Sequence, residues 1–273
     1  MYLSIPTALN VSWREIDALT RDIADHRISY GKAAEQYGEL RLPKTKRPHP
    51  VIVFIHGGCW LNAYGLDHVA PISRALADEG YVVWTPEYRR IGDSGGGWPG
   101  TFEDISRSVK VLREFAPEYG LRLDRIIAMG HSAGGHLALW LAARKNLSAS
   151  SGFYNNHALP LHGVISLAGI SDLLAYEKVG NDCSTSLPEL LGGSSSEVPT
   201  RWAQVDPMQL LPLGIPAKFV HGDLDSVVPL AQSEDMAKAS GGELIVVKGG
   251  GHFDMVSPHA EAWQVIRQAV KDI

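Results

Sequence analysis

Short runs of consecutive apolar residues recur from residue 50 onward, and stretches of helical periodicity lie beside them. The runs predict strands that are buried on both faces of a sheet, because polar positions do not alternate with apolar ones. These strands fall at residues 51–55, 81–85, 125–129, 163–168, 217–221 and 243–247. The helical stretches fall at residues 69–79, 102–119, 134–145, 230–240 and 258–271. This alternation predicts an α/β fold, with right-handed crossovers and helices on both faces of a mostly parallel sheet.

Two segments stand outside this alternation. Residues 11–25 predict a helix, because Ser12 and Glu15 form a capping box and apolar residues recur on one helical face. Residues 171–212 form one long irregular stretch rich in Ser, Gly and Pro, and loops of that length are commonly lids or binding segments. We therefore expect a single domain over residues 1–273, with an N-terminal helical arm at 1–36 and a lid or cap insert at 171–212.

Composition indicates a chain with an ordinary globular core. Of its 273 residues, 45% are hydrophobic and 20% are charged, which excludes the disordered and fibrous classes. The 25 basic and 30 acidic residues give a net charge of −5, so no nucleic-acid partner is expected. The longest apolar runs are too short to cross a bilayer, so no membrane partner is expected either.

Two further features bear on the location of the protein. Residues 1–6 lack the charged and then apolar layout of a signal peptide. The two cysteines, Cys59 and Cys183, are too few for a disulfide framework and do not form a Cys-x-x-Cys pair. We therefore expect a cytoplasmic protein, and the sequence leaves its oligomeric state open, a homodimer included.

The strongest chemical signal is the run Gly130-His131-Ser132-Ala133-Gly134, which matches the pattern G-x-S-x-G. It directly follows a predicted strand and opens a predicted helix, which is the context that this motif requires. A serine in such a tight turn needs a glycine two residues before it and another two residues after it, because a side chain at either position would collide with the strand or the helix. The turn lifts the hydroxyl clear of the sheet and predicts that Ser132 is a nucleophile.

A serine hydroxyl needs a general base, and the base needs an acid that orients it. His252 is the candidate base, because it lies in a glycine-flanked loop after the strand at 243–247. Two acids, Asp223 and Asp225, lie in the loop after the strand at 217–221. The resulting chain order of Ser, Asp and His is one of the three known arrangements of this triad.

The other histidines and Asp172 have simpler interpretations. Histidine is more often a hydrogen-bonded structural residue than a catalyst, and we interpret His136 and His221 in this way. Asp172 follows a strand and is an alternative acid, although a structural hydrogen bond is the simpler role. No His-x-x-x-His pair or Cys/His cluster has the spacing of metal ligands, so neither a metal nor a cofactor is expected.

A second motif, His56-Gly57-Gly58-Cys59-Trp60, follows the first buried strand. Acyl hydrolysis passes through an oxyanion, which preorganised N–H donors must meet. A glycine pair after a strand lets the backbone approach closely with its amides inward, and Ala133 supplies the amide after the nucleophile. This position predicts an oxyanion hole upstream of the serine turn.

Together these motifs resemble the α/β-hydrolase family, in the esterase and lipase branch with an HGG oxyanion motif. The resemblance runs from about Tyr37 to the C-terminus. Within the branch, His-Gly-Gly-Cys-Trp is similar to the HGGxW motif of kynurenine formamidase-like proteins, and Gly-His-Ser-Ala-Gly-Gly-His-Leu is similar to the same group. The resemblance implies an α/β-hydrolase fold with a lid-like insert.

The resemblance also implies a role for each site residue. Ser132 would be the nucleophile, Asp225 the acid and His252 the base. The donors to the oxyanion would be the amides of three residues, Gly58, Cys59 and Ala133.

Three residues are candidates for contact with the substrate: Trp60, Trp98 and His131. A tryptophan near a cleft stacks on an aromatic substrate about as often as it packs in the core. His131 occupies the variable position of the serine turn and is expected to pack beneath it. The side chain of Cys59 is expected to pack, so that only its amide acts.

We therefore expect a serine hydrolase that cleaves small carboxylic esters through an acyl-enzyme intermediate, without a cofactor. An arylformamidase, which cleaves amides of the N-formylkynurenine type, is the alternative, so the partner is a small ester or amide. A non-catalytic binding protein of the same fold is disfavoured, because all three triad members are present. A peptidase is disfavoured as well, because the length leaves no room for an additional large domain.

Overall fold

The computed structural model describes residues 10–19, 22–155 and 157–273. Within them the strands are β1 His26–Ser29, β2 Tyr37–Arg41, β3 His49–Ile55, β4 Val82–Pro86, β5 Leu121–His131, β6 Gly163–Leu167, β7 Ala217–Gly222 and β8 Glu243–Val247. They form one sheet in the order β1-β2-β4-β3-β5-β6-β7-β8. β3 to β8 pair in parallel, while β1 pairs antiparallel with β2, and β2 with β4. All six predicted strands and the mostly parallel α/β fold are confirmed.

The helices of the described residues are α1 Trp13–Asp17, α2 Ala70–Asp78, α3 Gly100–Lys110, α4 Leu112–Tyr119, α5 Ala133–Ala143, α6 Leu173–Tyr176, α7 Leu187–Leu191, α8 Pro199–Val205, α9 Ala231–Ser240 and α10 Ala262–Lys271. Four of the predicted helices correspond to α2, α5, α9 and α10. The helix predicted at 102–119 is divided at Val111 into α3 and α4. None of the helices in this part of the chain is long and apolar enough to cross a membrane.

The core lies on both faces of the sheet. Alternate residues of β3 point to opposite faces, so that Val51, Val53 and Ile55 belong to one apolar cluster, and Ile52 and Phe54 to another. The first cluster includes residues of α3, α5 and α7, and the second includes residues of α2 and α10. Helices therefore cover both faces, as the continuous apolar strands predict.

The predicted helix at 11–25 is wrong in extent. The capping box of Ser12 and Glu15 is present, but α1 ends at Asp17. Beyond it, the carboxylate of Asp22 accepts hydrogen bonds from Arg41 at 2.8 Å and Arg74 at 3.0 Å. These bonds hold Asp22 against β2 and α2, and Ile23, an apolar residue of the predicted helix, is 86% exposed. The prediction about residues 1–6 lies outside the described residues.

The antiparallel edge of the sheet, β1 and β2, is absent from the prediction. It lies partly inside the segment predicted as a helical arm, which is a correction to that interpretation. Both strands are short, and their charged residues break any apolar run. β2 lies next to β4 through pairing with that strand, which is distant in sequence and leaves no local pattern.

The predicted insert at 171–212 is mostly short helical turns and not an irregular loop. It holds α6, α7 and α8, and its residues Leu173, Leu187 and Trp202 are buried. Helices of four to seven residues complete at most two turns, so helical periodicity cannot be read from them. The insert as a lid remains a prediction.

Candidate active site

The predicted serine turn lies between β5 and α5. Ser132 has φ 56° and ψ −121°, an unfavourable conformation for a residue with a side chain. A Cβ at Gly130 would lie 2.0 Å from the carbonyl oxygen of Gly134, and a Cβ at Gly134 would lie 2.1 Å from that of Ile55. The two glycines are therefore required by close contact between backbones, as the motif predicts. The amide of Ala133 lies at the N-terminus of α5, where the helix dipole favours negative charge.

The acid and base of the prediction are brought together after β7 and β8. His252 Nδ1 lies 2.7 Å from Asp225 Oδ2. Asp223, the alternative acid, faces away, because its Oδ1 accepts from the amide of Gly249 at 2.6 Å and its Oδ2 lies 3.3 Å from Lys248 Nζ. Asp172 caps α6 by accepting from the amide of Ala175. Of the three carboxylates considered, Asp225 is the one that contacts His252.

Four N–H donors surround the carboxylate of Asp225. Its Oδ1 accepts from the amides of Val227 and Val228, each at 2.8 Å, and its Oδ2 faces His252 and also His221 Nε2 at 3.1 Å. Burial raises the pKa of Asp225, but the hydrogen bonds from His221 and His252 outweigh burial and hold the pKa well below its usual range. The carboxylate of Asp225 is therefore ionised and fixed in orientation.

His221 also contacts the carboxylate of Asp225, and the sequence did not predict this contact. It is fully buried at the end of β7, and its Nδ1 lies 2.7 Å from the hydroxyl of Ser233. Nε2 faces two acceptors, Asp225 Oδ2 and the carbonyl of Val228, so it carries the proton. The available signal was a histidine four residues before the candidate acid, at the end of a strand.

The predicted oxyanion turn follows β3 and approaches the serine turn. A Cβ at Gly57 would lie 2.8 Å from the carbonyl oxygen of His131 and 3.1 Å from Ser132 Cβ. The next three residues all have positive φ, which is 110° at Gly58, 52° at Cys59 and 58° at Trp60. The turn thus brings its backbone close to Ser132, so that its amides are candidates for binding an anion.

One cavity of about 330 Å³ lies beside the serine turn, His252 and the oxyanion turn. Ser132, His252, Gly58 and Cys59 line it, together with a mainly aromatic set that consists of Trp13, Tyr64, His68, His131, Val227 and Phe253. The ring of Trp13 lies 5.4 Å from that of Tyr64 and 5.5 Å from that of Phe253, measured between centroids. The pocket is thus mainly apolar, with its polar groups at Ser132, the oxyanion turn and the histidines.

The N-terminal segment contributes to this pocket through Asp254. This buried carboxylate, two residues after His252, accepts from the amides of Asn10 at 3.0 Å and Val11 at 2.8 Å. It therefore holds the start of α1 against the histidine loop and places Trp13 at the cavity. Residues that are remote in sequence build this wall, so no local motif could reveal it.

The structure brings only one of the three predicted substrate contacts to the pocket. His131 lines it, and its Nε2 donates to the carbonyl of His252 at 3.0 Å. Trp60 is fully buried with its ring against His136, and Trp98 packs against Phe102 and Phe153, so neither lines the pocket. Core packing decided these two positions, and Trp13 and Tyr64 supply the aromatic wall instead.

Two of the lining histidines are neutral in this structure. Burial, followed by the neighbouring His252, holds the pKa of His131 well below its usual range. Burial, followed by His56, lowers the pKa of His68 to about 3. Neither imidazole therefore adds positive charge beside His252 at neutral pH.

The two cysteines form a disulfide, which corrects the expectation for Cys59. Their Cα atoms lie 4.9 Å apart, and the bond joins the oxyanion turn to the insert. The side chain of Cys59 is therefore covalently bound, where simple packing was expected. Disulfides are rare in the cytosol, so the cysteines no longer favour the predicted cytoplasmic location.

The order of strands, the strained serine between β5 and α5, and the Ser132, Asp225 and His252 chain order together define an α/β-hydrolase. The sequence profile of the BD-FAE family matches residues 39–239. The chain belongs to this family, a group of α/β-hydrolase esterases, and the predicted resemblance to esterases is confirmed. In the described residues, no group of three or more His, Cys, Asp or Glu side chains has the geometry of a metal site.

The relatives of the chain include esterases and a formamidase. It is 26% identical over 225 residues to the probable carboxylic ester hydrolase LipM of Mycobacterium tuberculosis, covering 78% of this chain and 51% of that protein. It is 24% identical over 257 residues to the kynurenine formamidase avaC of Aspergillus versicolor, covering 81% and 86%. The chain thus spans about half the length of the first of these relatives.

Solved structures of low identity share the fold. A truncated carbohydrate esterase from gut microbiota superposes with a TM-score of 0.77 at 21% identity, covering 93% of this chain and 96% of that one. At this identity the likeness concerns the fold alone.

Proposed function

We propose that the protein hydrolyses small carboxylic esters through an acyl-enzyme intermediate. Ser132 is the nucleophile, His252 the general base and Asp225 the acid that orients it. The observation that carries the proposal is the 2.7 Å contact between His252 Nδ1 and Asp225 Oδ2, at a pocket that Ser132 also lines.

The contact with Asp225 determines which nitrogen of His252 can act as a base. A carboxylate only accepts, so Nδ1 carries a proton and Nε2 presents a lone pair. Nε2 takes the proton of Ser132 as the hydroxyl attacks the ester carbonyl, and later returns it to the leaving alcohol. The ionised Asp225 stabilises the imidazolium that forms between these two steps. Water then attacks the acyl-enzyme by the same route and releases the acid.

The oxyanion of each tetrahedral intermediate requires fixed N–H donors. We propose the amides of Gly58, Cys59 and Ala133 for this role. The close approach of Gly57 to Ser132 and the three positive φ angles that follow support the proposal. The position of Ala133 at the start of α5 supports it further, since the dipole there favours an anion.

The pocket supports a small substrate with an apolar part. A cavity of about 330 Å³ lies at the lower end of the range for small-molecule sites. Its walls are aromatic or aliphatic, apart from the groups at Ser132, the oxyanion turn and the histidines. Long acyl chains would have to extend beyond it.

Arylformamidase activity is a second candidate, and the wall of Trp13, Tyr64 and Phe253 is the observation that favours it. Aromatic rings pack well on such a wall, and a formyl group needs almost no acyl space. The similarity to a kynurenine formamidase is compatible with the same reaction. Both reactions pass through a tetrahedral oxyanion, so one site serves either.

Hydrolysis of a substrate panel tests the proposal. Acetyl, butyryl and octanoyl p-nitrophenyl esters and N-formylkynurenine are compared by kcat/KM, which measures differential binding of the transition state. We expect acetyl and butyryl esters to be the best substrates, with Ser132→Ala as the inactive control. Efficient turnover of N-formylkynurenine with poor hydrolysis of acetyl esters would establish the second candidate instead. Ester hydrolysis that persists in Ser132→Ala would overturn the assignment of the nucleophile.

A further inference from the structure

The disulfide places a covalent link between the oxyanion turn and the insert. Cys59 lies in the turn and lines the pocket, whereas Cys183 lies between α6 and α7 and is 2% exposed. The two residues are 124 positions apart in the chain. The insert is therefore attached to the site at one of the three residues whose amides we assign to the oxyanion.

The oxyanion turn has a conformation that L-residues resist. Cys59 and Trp60 have φ of 52° and 58°, and a left-handed backbone is unfavourable for a residue with a Cβ. The surroundings must therefore hold the turn. The carbonyl of Trp60 accepts from the amide of Ile91 at 2.8 Å, and the carbonyl of Gly58 accepts from that of Leu61 at 2.9 Å. The side chain of Cys59 adds the disulfide.

The same part of the insert also holds the loop of the acid. Asn181 Nδ2 donates to the carbonyl of Val227 at 2.7 Å, and the Tyr176 hydroxyl donates to that carbonyl at 3.2 Å. The amide of Val227 in turn donates to Asp225 Oδ1. The amide of Ser184, next to Cys183, donates to Asn181 Oδ1 at 2.9 Å, which closes the turn around the cysteine. The insert therefore bridges the oxyanion turn and the acid loop.

We propose that Cys183 is a positioning residue for the oxyanion turn, and that a dithiol which reduces the Cys59–Cys183 bond lowers esterase turnover. This inference rests on the proposed function, because it assigns the turn a role in that reaction. Cys183 acts through Cys59 and has no part in bond making or breaking on the substrate.

The reduction is an ordinary thiol–disulfide exchange. A thiolate of the dithiol attacks one sulfur and forms a mixed disulfide, and its second thiolate displaces the remaining protein sulfur. Two electrons pass to the protein, Cys59 and Cys183 each take up a proton, and the dithiol becomes a cyclic disulfide. Cys183 is buried and Cys59 lines the pocket, so the attack comes from the Cys59 side.

The test compares oxidised wild type, wild type reduced with dithiothreitol, and Cys183→Ala. We expect reduction and the substitution each to lower kcat on an acetyl ester about 10- to 100-fold, less than the loss of a whole oxyanion donor. KM should change little, because the turn acts on the transition state. Reoxidation of the wild type should restore kcat, and dithiothreitol should not affect Cys183→Ala further.

A second readout separates positioning from general destabilisation. A thionoester places the developing charge on sulfur, which is a weak hydrogen-bond acceptor, so its hydrolysis depends less on the turn. The ratio of ester to thionoester rates should therefore fall on reduction. Leu191→Ala, which truncates a buried residue of the same insert, is the matched control and should lower stability while keeping this ratio. All variants are assayed at a temperature where circular dichroism shows that they are folded.

Two results would overturn the ideas separately. The role of Cys183 would be overturned if the oxidised protein is active and neither reduction nor Cys183→Ala changes its kcat or its ester-to-thionoester ratio. Oxidised protein that neither hydrolyses esters nor reacts with an organophosphonate at Ser132 would overturn the proposed function itself. If Cys183→Ala does not fold, the reversible reduction of the wild type decides alone.

Discussion

The serine turn and the oxyanion turn meet at one pocket, but different forces hold them. Ser132 is strained between two regular elements, β5 and α5, and the glycines beside it let these elements pack backbone against backbone. Residues 58–60 all have positive φ, which strains Cys59 and Trp60, and they lead from β3 into a loop. That loop depends on distant partners, namely Ile91 through a hydrogen bond and Cys183 through a disulfide.

The two turns differ in which parts of the fold stabilise their strained backbone. A single strained residue between a buried strand and a buried helix is held by elements that are stable for other reasons. A strained turn at the mouth of a loop needs bonds from elsewhere in the fold. Substitutions near the serine turn should therefore act locally, and the oxyanion turn should respond to changes far from it in sequence.

The largest effect is expected from a substitution that removes the hydroxyl of Ser132 and keeps the backbone conformation of the serine turn. Ser132→Ala retains a Cβ, so the strain at this position is unchanged, but the nucleophile is lost. We expect kcat to fall by about 10⁶, as for loss of the serine in other serine hydrolases. An organophosphonate should label the wild type once, at Ser132, as seen by mass spectrometry. Labelling at another serine would contradict the assignment.

The second largest effect on kcat distinguishes Asp225 from Asp223, the two carboxylates of one loop. Asp225→Asn should lower kcat by about 10⁴, because an amide cannot hold His252 in the required tautomer. Asp223→Asn is the matched control, since that carboxylate contacts Gly249 and Lys248 and not His252. Its kcat should stay close to that of wild type. A reversed order of the two effects would move the acid to Asp223.

A third prediction probes the local support of the serine turn. A Cβ at residue 134 would lie 2.1 Å from the backbone oxygen of Ile55, so Gly134→Ala must push β3 and α5 apart. We expect it to lower the free energy of unfolding by about 3 kcal/mol, the upper end of the usual overpacking cost. Gly152→Ala is the control, because a Cβ there meets nothing within 4 Å. The denaturant midpoints of the two variants measure the difference, and equal midpoints would refute close packing at the turn.

The smallest effect concerns the insert that supports the oxyanion turn. Burial raises the pKa of Asp206 to about 6, although hydrogen bonds from Gln209 and from the amides of Leu173 and Met208 oppose it. The folded protein therefore binds this proton more tightly than the unfolded chain. The corresponding stability is present at low pH and is lost as the pH rises through about 6.

Asp206→Asn isolates that contribution. Between pH 5 and pH 7 the wild type should lose about 1 kcal/mol of unfolding free energy that the variant does not lose. Urea denaturation of both proteins at the two pH values measures it. Parallel pH dependence in the two proteins would show that Asp206 titrates normally.

Much of this protein was determined by its sequence alone. The six parallel strands could be predicted because strands buried on both faces are apolar throughout, whatever their neighbours. The serine turn could be predicted because its strand, glycines and helix are contiguous in sequence, so that five consecutive residues contain the whole steric requirement. The order of serine, aspartate and histidine followed from loops at the carboxyl ends of those same strands, and the family resemblance selected Asp225 over Asp223.

Only the tertiary structure decided the surroundings of that core. Trp13 reaches the pocket because Asp254, more than two hundred residues away, holds the N-terminal segment. Of the predicted contacts, Trp60 is fully buried and the partly buried Trp98 packs against Phe102, because an aromatic side chain serves either purpose and only packing distinguishes them. The pairing of Cys59 with Cys183, and that of β2 with β4, joins residues with no common local pattern. Local physics determines the elements and their tight turns, whereas long-range contacts determine what covers the site and what holds it.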